Sequence, residues 1–563
     1  MMQMNGAQII VGLLERQGVR TVAGIPGGAN LPLYDALSAR RRIRHVLARH
    51  EQGAGFIAQG MARVSGTPAV CLATSGPGAA NVMTAIADAK LDSIPVVCIT
   101  GQAPLGMIGT DAFQEVDTYG LSIPITKHNF LVRSAAELLD VIPRAFRIAA
   151  SGRPGPVLID VPKDVQMQPA EFAAWPQPGT AEPPPAFDTD DLDRAAELVN
   201  AARRPVLYVG GGAIHAGASS VVRRLAEHAS IPVTTTLMGL GAVPVGHPLS
   251  LGMLGMHGAR CTNLALEECD LLIAAGVRFD DRATGKVAAF CPDARVVHVD
   301  VDPAEIGKIR SADVGIVGDV RQVFEALLPM VATDLRSDWL DRVTELKRHD
   351  PLATPGADDV RAPYGLIAEV AALLDDDAIV ATDVGQHQMW VAQAYPFARP
   401  RAWLTSGGLG TMGFGLPAAI GAALAAPDRT VVCFSGDGSL LMNIQELATA
   451  AEEDVNVKVI VMNNNSLGLV HQQQALFYGG RLYACDYRTR VDFVRIAEGF
   501  GVPACDLGGH PDPQEALTAA LGAPGPRLIH APIDVNEMVF PMVPPGAANR
   551  DMIGGEAHVD ALV

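Results

Sequence analysis

Asp437 and Asn464 stand 27 residues apart, each just after an apolar, β-branched run. Residues 431–435 (Val-Val-Cys-Phe-Ser) run into Gly436-Asp437-Gly438-Ser439, and residues 457–462 (Val-Lys-Val-Ile-Val-Met) run into Asn463-Asn464. A strand–helix–strand unit of about 30 residues returns both strand ends to one edge of a parallel sheet. A helix is expected between them, over residues 443–452. The carboxylate and the amide oxygen then face the same crevice. Hard oxygens in such a pair suit Mg²⁺, which keeps octahedral geometry and completes its shell with water and phosphate oxygens. Glycines on both sides of Asp437 let backbone N–H groups come close to a diphosphate. An Asp-Gly turn alone is commonplace. Gly-Asp-Gly and Asn-Asn at this spacing, each at a strand end, point to a metal–diphosphate site.

The elements that must position this pair repeat along the chain. Short apolar β-branched runs at 68–73, 95–101 and 156–161 alternate with helical patterns such as 81–90. That alternation predicts parallel α/β sheets. Two seams divide the chain. Residues 167–188 carry Pro169, Pro176, Pro178 and Pro183-Pro184-Pro185, and residues 332–362 are polar, with Pro351 and Pro355. Proline donates nothing to a ladder and stiffens a linker. The expected division is a first domain over 1–166, a middle domain over 189–331 and a third over 363–545, with a Gly- and Ala-rich tail over 546–563. Thr74-Ser75-Gly76-Pro77-Gly78 and Ser406-Gly407-Gly408-Leu409-Gly410-Thr411-Met412-Gly413 each run into an Ala-rich helix. The shared device suggests a remote internal duplication of the first and third domains.

Composition narrows the function classes. A chain of 563 residues that is 49% hydrophobic and only 18% charged builds large cores. A net charge of −18 repels nucleic acid and anionic membranes, so neither is an expected partner. The eight cysteines are scattered with no CxxC pair and read as reduced thiols. The first residues have no basic stretch followed by an apolar run, and no apolar stretch is long enough to span a bilayer. A cytoplasmic protein is expected.

The Gly-Asp-Gly to Asn-Asn pattern resembles the thiamine diphosphate motif of the superfamily that holds pyruvate decarboxylase and acetolactate synthase. The resemblance spans nearly the whole chain. Ile25-Pro26-Gly27-Gly28, Arg49-His50-Glu51-Gln52-Gly53-Ala54, the run 108–115 (Ile-Gly-Thr-Asp-Ala-Phe-Gln-Glu), Ser151-Gly152-Arg153-Pro154-Gly155-Pro156 and Arg278-Phe279-Asp280-Asp281-Arg282 are similar to acetolactate synthase catalytic subunits. The resemblance implies three doubly wound α/β domains: pyrimidine-binding, central FAD-binding and diphosphate-binding. It implies that Glu51 hydrogen-bonds N1′ of the aminopyrimidine and tunes its acid–base chemistry. Met412 would hold the cofactor in its bent form. Gly27, Gln386, His387, Gly410, Gly438 and Ser439 would complete the thiamine diphosphate site, and Asp437, Asn464 and Ser466 the Mg²⁺ site.

The middle domain contributes a second expectation. Leu207-Tyr208-Val209-Gly210-Gly211-Gly212 and His298-Val299-Asp300 read as strand-then-glycines and strand-then-acid, a weak dinucleotide pattern outside GxGxxG. The resemblance assigns FAD to Arg153, His257, Arg278, Asp300 and Asp319, with no redox part in the net reaction. It gives Arg282 the carboxylate of the second 2-oxoacid, a task that suits a guanidinium fork. Gln114 and Lys163 join the catalytic set, and Phe113, Met256, Val470 and Gln473 the substrate-contacting set. Many relatives carry Trp where this chain has Gln473. That Trp goes with preference for 2-oxobutanoate, so the chain resembles the isozyme I type and is expected to make mainly acetolactate.

The expected activity is decarboxylating condensation of two 2-oxoacids, the first common step toward valine, leucine and isoleucine. A homodimer or higher homo-oligomer and a small regulatory subunit are the implied partners. The alternatives are a related decarboxylase or pyruvate oxidase, a non-catalytic regulatory homologue, and a plain nucleotide-binding module.

Overall fold

Three six-stranded parallel sheets flanked by helices organise the chain in a computed structural model that describes residues 1–40 and 42–554. Strands are ranked here by chain order within each sheet. The first sheet, from Thr21–Gly24 to Val157–Pro162, has the order 2-1-3-4-6-5, and the third, from Ile379–Thr382 to Arg527–Pro532, has the same order. The middle sheet, from Pro205–Val209 to Val314–Val317, has the order 3-2-1-4-5-6 used by dinucleotide-binding sheets. Shared strand order in sheets one and three strengthens the duplication suggested by their two Gly-rich turns.

The central strands form because their runs are apolar on both faces, as a sheet covered by helices requires. Val96–Gln102 and Val157–Pro162 are buried at every residue. The covering helices carry one apolar stripe. In Leu138–Ala150 the inward residues are Leu138, Val141, Ile142, Ala145, Phe146 and Ala149, at the i, i+3, i+4 spacing of a core-facing helix.

One core joins the first and third sheets. Helix Glu51–Ser65 lies against helix Gly415–Ala425, and their contact has room only for glycine. A Cβ on Gly60 would strike the carbonyl of Ala418, and one on Gly421 would strike the carbonyl of Ile57. Phe56 meets Phe414 edge to face at 5.3 Å beside that crossing.

The two proline-rich seams hold more structure than their composition suggested. Within 167–188, strand Pro169–Phe172 pairs antiparallel with Met2–Asn5, forming a two-stranded clip. Pro169 is tolerated because it opens a short edge strand. Within 332–362, helix Ser337–His349 buries Trp339, Val343 and Leu346 against the middle domain. The polar majority of that helix faces water, which is why the segment reads as a linker. The first part of the C-terminal tail packs on the middle domain: Asn549 Nδ2 donates to the carbonyl of Ala283 at 2.9 Å. Residues 555–563 of that tail lie outside the described residues. All eight cysteines are free thiols, and among the described residues no helix is long and apolar enough to cross a membrane.

Candidate active site

In a doubly wound sheet, ligands bind beyond the strand ends where the strand order reverses. In the third sheet this crevice separates Ile379–Thr382 from Val431–Gly436. The first strand delivers Asp383, Gln386 and His387, and the second delivers Asp437, Gly438 and Ser439. The neighbouring strand Val457–Asn463 adds Asn464 and Ser466. The helix expected over 443–452 forms as Glu446–Glu453, after a separate short helical turn at Asp437–Leu440. Asn443 lies between the two, and its amide donates to the carbonyl of Gly413 at 2.7 Å.

Asp437 is buried, with the backbone N–H groups of Gly438, Asn465 and Ser466 near its carboxyl. Burial pushes its carboxyl up to about 6. No lysine, arginine or histidine pairs with it among the described residues. A buried carboxylate near N–H groups but lacking a cation fits Mg²⁺, with oxygens of Asn464 and Ser466 alongside. Asn464 Oδ1 accepts the N–H of Ser466 at 3.1 Å, and its Nδ2 donates to Gln386 Oε1 at 3.1 Å. Ser439 Oγ donates to the carbonyl of Val384 at 2.7 Å.

His387 is buried and neutral, with its imidazole pushed down to about 3 by burial. It accepts the N–H of Gly436 at 3.3 Å. A Cβ on Gly438 would come within 2.6 Å of the Tyr487 hydroxyl, so the cradle is open only because that side chain is absent. These gaps and inward N–H groups fit a diphosphate.

The first sheet gathers a second cluster at its own crevice. Glu51 opens helix Glu51–Ser65 and accepts Asn81 Nδ2 at 3.0 Å. Gly27 abuts Thr74, Gly78 abuts Thr74 and Glu51, and Gly76 abuts the backbone of Gln114. No hydrogen bond among the described residues joins this cluster to the Asp437 cradle. Phe113, beside Gln114, is 89% exposed, an unusual position for a large apolar ring. Lys163 starts helix Lys163–Met167 and forms no ion pair among the described residues. Val470 is 45% exposed on helix Gly468–Phe477.

A cavity of 580 Å³ lies between the domains. Arg153, His257, Arg278, Asp300 and Asp319 all line it, and so do Met256, Arg282, Gly410 and Gln473. It opens at the reversal point of the middle sheet, where Gly210 and Gly212 pack directly on Gly276. Thr236 Oγ1 lines this cavity, buried and without a partner. The sheet order, the glycine-lined mouth and the orphaned hydroxyl fit a dinucleotide such as FAD.

The lining groups are not all free. Arg153 pairs with Glu305 at 2.6 Å and Asp302 at 3.3 Å, and Asp319 caps helix Val320–Leu327. Burial pushes Asp300 up to about 6 and His257 down to about 4. Arg282 is two-thirds exposed and reaches Met256 Sδ at 3.9 Å. The C-terminal segment braces this wall: Val543 donates its N–H to the carbonyl of Met256 at 2.9 Å, and His257 Nδ1 lies 3.1 Å from the carbonyl of Pro541.

Sequence reasoning missed the groups that hold the Met412 loop. Asp92 accepts the N–H of Gly407 at 3.1 Å and of Gly408 at 2.7 Å. Asp88 accepts Thr411 Oγ1 at 2.9 Å and the Ser406 hydroxyl. Arg63 pairs with Asp92 at 2.7 Å and is buried with both carboxylates. Asp383 anchors the same loop by accepting the N–H of Gly413 at 2.7 Å. Asp383 could have been found, since it directly follows a strand run. Gln472, which bridges Gln386 to the backbone of Val539, carries no such local signal.

Comparison with known proteins agrees with this layout. Residues 4–121 match the thiamine pyrophosphate enzyme N-terminal TPP-binding domain, 192–327 its central domain and 383–531 its C-terminal TPP-binding domain. The chain is 62% identical to the acetolactate synthase isozyme 1 large subunit of Escherichia coli (strain K12), over 98% of this chain and 97% of that one. It is 47% identical to the isozyme 2 large subunit of the same organism, over 98% and 99%. It is 45% identical to a probable acetolactate synthase large subunit of Methanocaldococcus jannaschii, over 98% and 95%. A thiamine-diphosphate enzyme by all three of its domains, the chain belongs to the family of acetolactate synthase large subunits.

Proposed function

We propose that the protein condenses two pyruvates, or pyruvate and 2-oxobutanoate, with loss of CO₂, giving acetolactate or its 2-aceto-2-hydroxybutanoate counterpart. The carrying observation is the buried Asp437 carboxylate, without a cationic side chain, beside Asn464 and Ser466 in a glycine-walled crevice. Asp437, Asn464 and Ser466 would hold Mg²⁺, and Gly438, Ser439, Gln386 and His387 the diphosphate. Thiamine diphosphate, when bound, supplies the electron sink for decarboxylation.

The chain's own residues have separate tasks. Glu51 holds or yields a proton at its carboxyl, directed at the pyrimidine of the cofactor. Met412 and Gly410, on a loop strapped by Asp88 and Asp92, shape the cofactor's seat. Arg282 binds the carboxylate of the second oxoacid, with Met256 beside it. Gln114, Lys163, Phe113 and Val470 approach the same reaction space, and Gln473 shapes the room for the second substrate. FAD would occupy the 580 Å³ cavity, contacted by Arg153, His257, Arg278, Asp300 and Asp319.

A homodimer is the minimum unit of this reading. It rests on the exposed Phe113, a large apolar ring that a second copy would cover. A small regulatory subunit and a cytoplasmic setting complete it, as does a division into domains at 1–166, 189–331 and 363–545. The relatives' designation as large subunits favours the small partner. The test is product analysis with pyruvate, thiamine diphosphate, Mg²⁺ and FAD, omitting each in turn. Acetolactate that disappears without thiamine diphosphate or Mg²⁺ is the expected result. Acetaldehyde or acetyl phosphate as main product would overturn the assignment in favour of a decarboxylase or oxidase.

A further inference from the structure

A second set of ligands lies beside the oxygen cradle and differs from it in kind. His471 is on helix Gly468–Phe477, which leaves the Asn464–Ser466 turn, and Cys485 and Asp486 are on the chain that returns to that turn. One nitrogen, one sulfur and one oxygen from these residues all lie within 4.8 Å of one another. His471 Nδ1 is 2.9 Å from Asp486 Oδ1. His471 and Cys485 are buried, whereas Asp486 faces solvent.

The returning chain is pinned in place. The carbonyl of Cys485 accepts the N–H of Leu467 at 2.7 Å and Ser466 Oγ at 3.1 Å. The N–H of Tyr487 donates to the carbonyl of Asn465 at 3.0 Å, and Ser466 and Asp486 form an antiparallel bridge. The three ligands therefore sit on a framework set by backbone bonds, not on loose side chains.

We propose that His471, Cys485 and Asp486 form a binding site for a thiophilic divalent cation of the zinc type, separate from the Mg²⁺ cradle. An imidazole, a thiolate and a carboxylate are the ligand types such an ion takes in tetrahedral geometry. Metal–ligand bonds of about 2.0–2.3 Å place tetrahedral ligands roughly 3.3–3.7 Å apart, a contraction of roughly 1–1.5 Å from the widest spacing here. Water takes the fourth position on the solvent side, at Asp486. On binding, the Cys485 thiol loses its proton to solvent and the sulfur donates an electron pair to the metal. The ligand sets divide the ions: Mg²⁺ shuns thiolate and keeps to Asp437, Asn464 and Ser466. An ion in the soft site would fasten residues 485–487 more firmly to the turn bearing Asn464 and Ser466. This site stands on its own geometry and goes beyond the carboligase reading.

The test is titration of the full-length protein with Co²⁺, with Mg²⁺ and thiamine diphosphate in excess. One Co²⁺ per chain, with intense visible bands and a sulfur-to-cobalt charge-transfer band, displaced by Zn²⁺, is the expected result. Cys485→Ser should abolish the charge-transfer band, and His471→Gln should weaken binding at least about tenfold. Circular dichroism checks that each variant folds, and if Cys485→Ser does not fold, His471→Gln carries the test. A weak octahedral spectrum in the wild type, a charge-transfer band that survives Cys485→Ser, or undiminished affinity in His471→Gln would overturn the proposal. None of these readouts depends on turnover, so their failure is distinguishable from failure of the carboligase reading.

Discussion

The first and third sheets have the same strand order and opposite chemistry at the same crevice. In the third, buried Asp383 and Asp437 and the Asn464–Ser466 turn face a glycine-walled gap. In the first, the corresponding gap is filled by Thr74 against Gly27 and Gly78, and its acid, Glu51, arrives on a helix start and is only half buried. The difference teaches that the sheet fixes where ligands go and the loops fix what they meet. On this reading one copy retains a cofactor and the other works on it.

Asp437→Ala is the sharpest way to break that division. It should abolish Mg²⁺-dependent retention of thiamine diphosphate and lower kcat by about 10³-fold, ~4 kcal/mol of activation energy. Equilibrium dialysis and initial rates read both quantities. Retention in the variant would remove the cradle from the third sheet. Glu51→Gln should act in the opposite sense, with turnover down about 10²–10³-fold and cofactor affinity within about tenfold of wild type. If affinity collapses and turnover of the saturated enzyme survives, the two crevices have been given each other's tasks.

How far this was legible in the sequence follows the range of the forces involved. The strand ends carrying Asp437 and Asn464 were readable because an apolar run meeting glycine or asparagine is a local signal, whereas Glu51 came only from the resemblance. The strap from Asp88 and Asp92 to the Ser406–Thr411 loop was not, since its partners lie more than 300 residues apart. The later start of helix Glu446–Glu453 was hidden for a related reason: Asn443 is held by the carbonyl of Gly413, 30 residues away. Helix Ser337–His349 looked like linker because only Trp339, Val343 and Leu346 point inward.

Smaller effects refine the comparison at its edges. Gln473→Trp, at the cavity wall next to the third sheet, should raise selectivity for 2-oxobutanoate over pyruvate about tenfold, measured by competition between the two oxoacids. Unchanged selectivity would mean that Gln473 does not shape the second substrate's room. His215 lines the cavity where all three domains meet, close to Arg63 and Arg401, and its imidazole is pushed down to about 4, mainly by burial. A depressed folded-state value means stability that is complete above the ordinary 6.5 and is lost as pH falls toward 4. Going from about pH 7 to about pH 5.5 should cost roughly 1 kcal/mol from this group. His215→Gln should remove that share of the shift in the urea midpoint, and an identical pH profile in the variant would exclude His215 as its source.

The close crossing of Glu51–Ser65 on Gly415–Ala425 also bears on how the protein is made. The second helix is synthesised 350 residues after the first. At about 5–20 residues per second, the first waits roughly 20–70 s for its partner. Throughout that interval, Phe56 and the glycine face around Gly60 lack the surface that covers them in the finished fold. A nascent chain therefore carries one apolar helix face that stays bare even after helix Pro77–Leu91 has covered another. Polypeptide broken anywhere between the two helices would keep that face bare until the halves found each other.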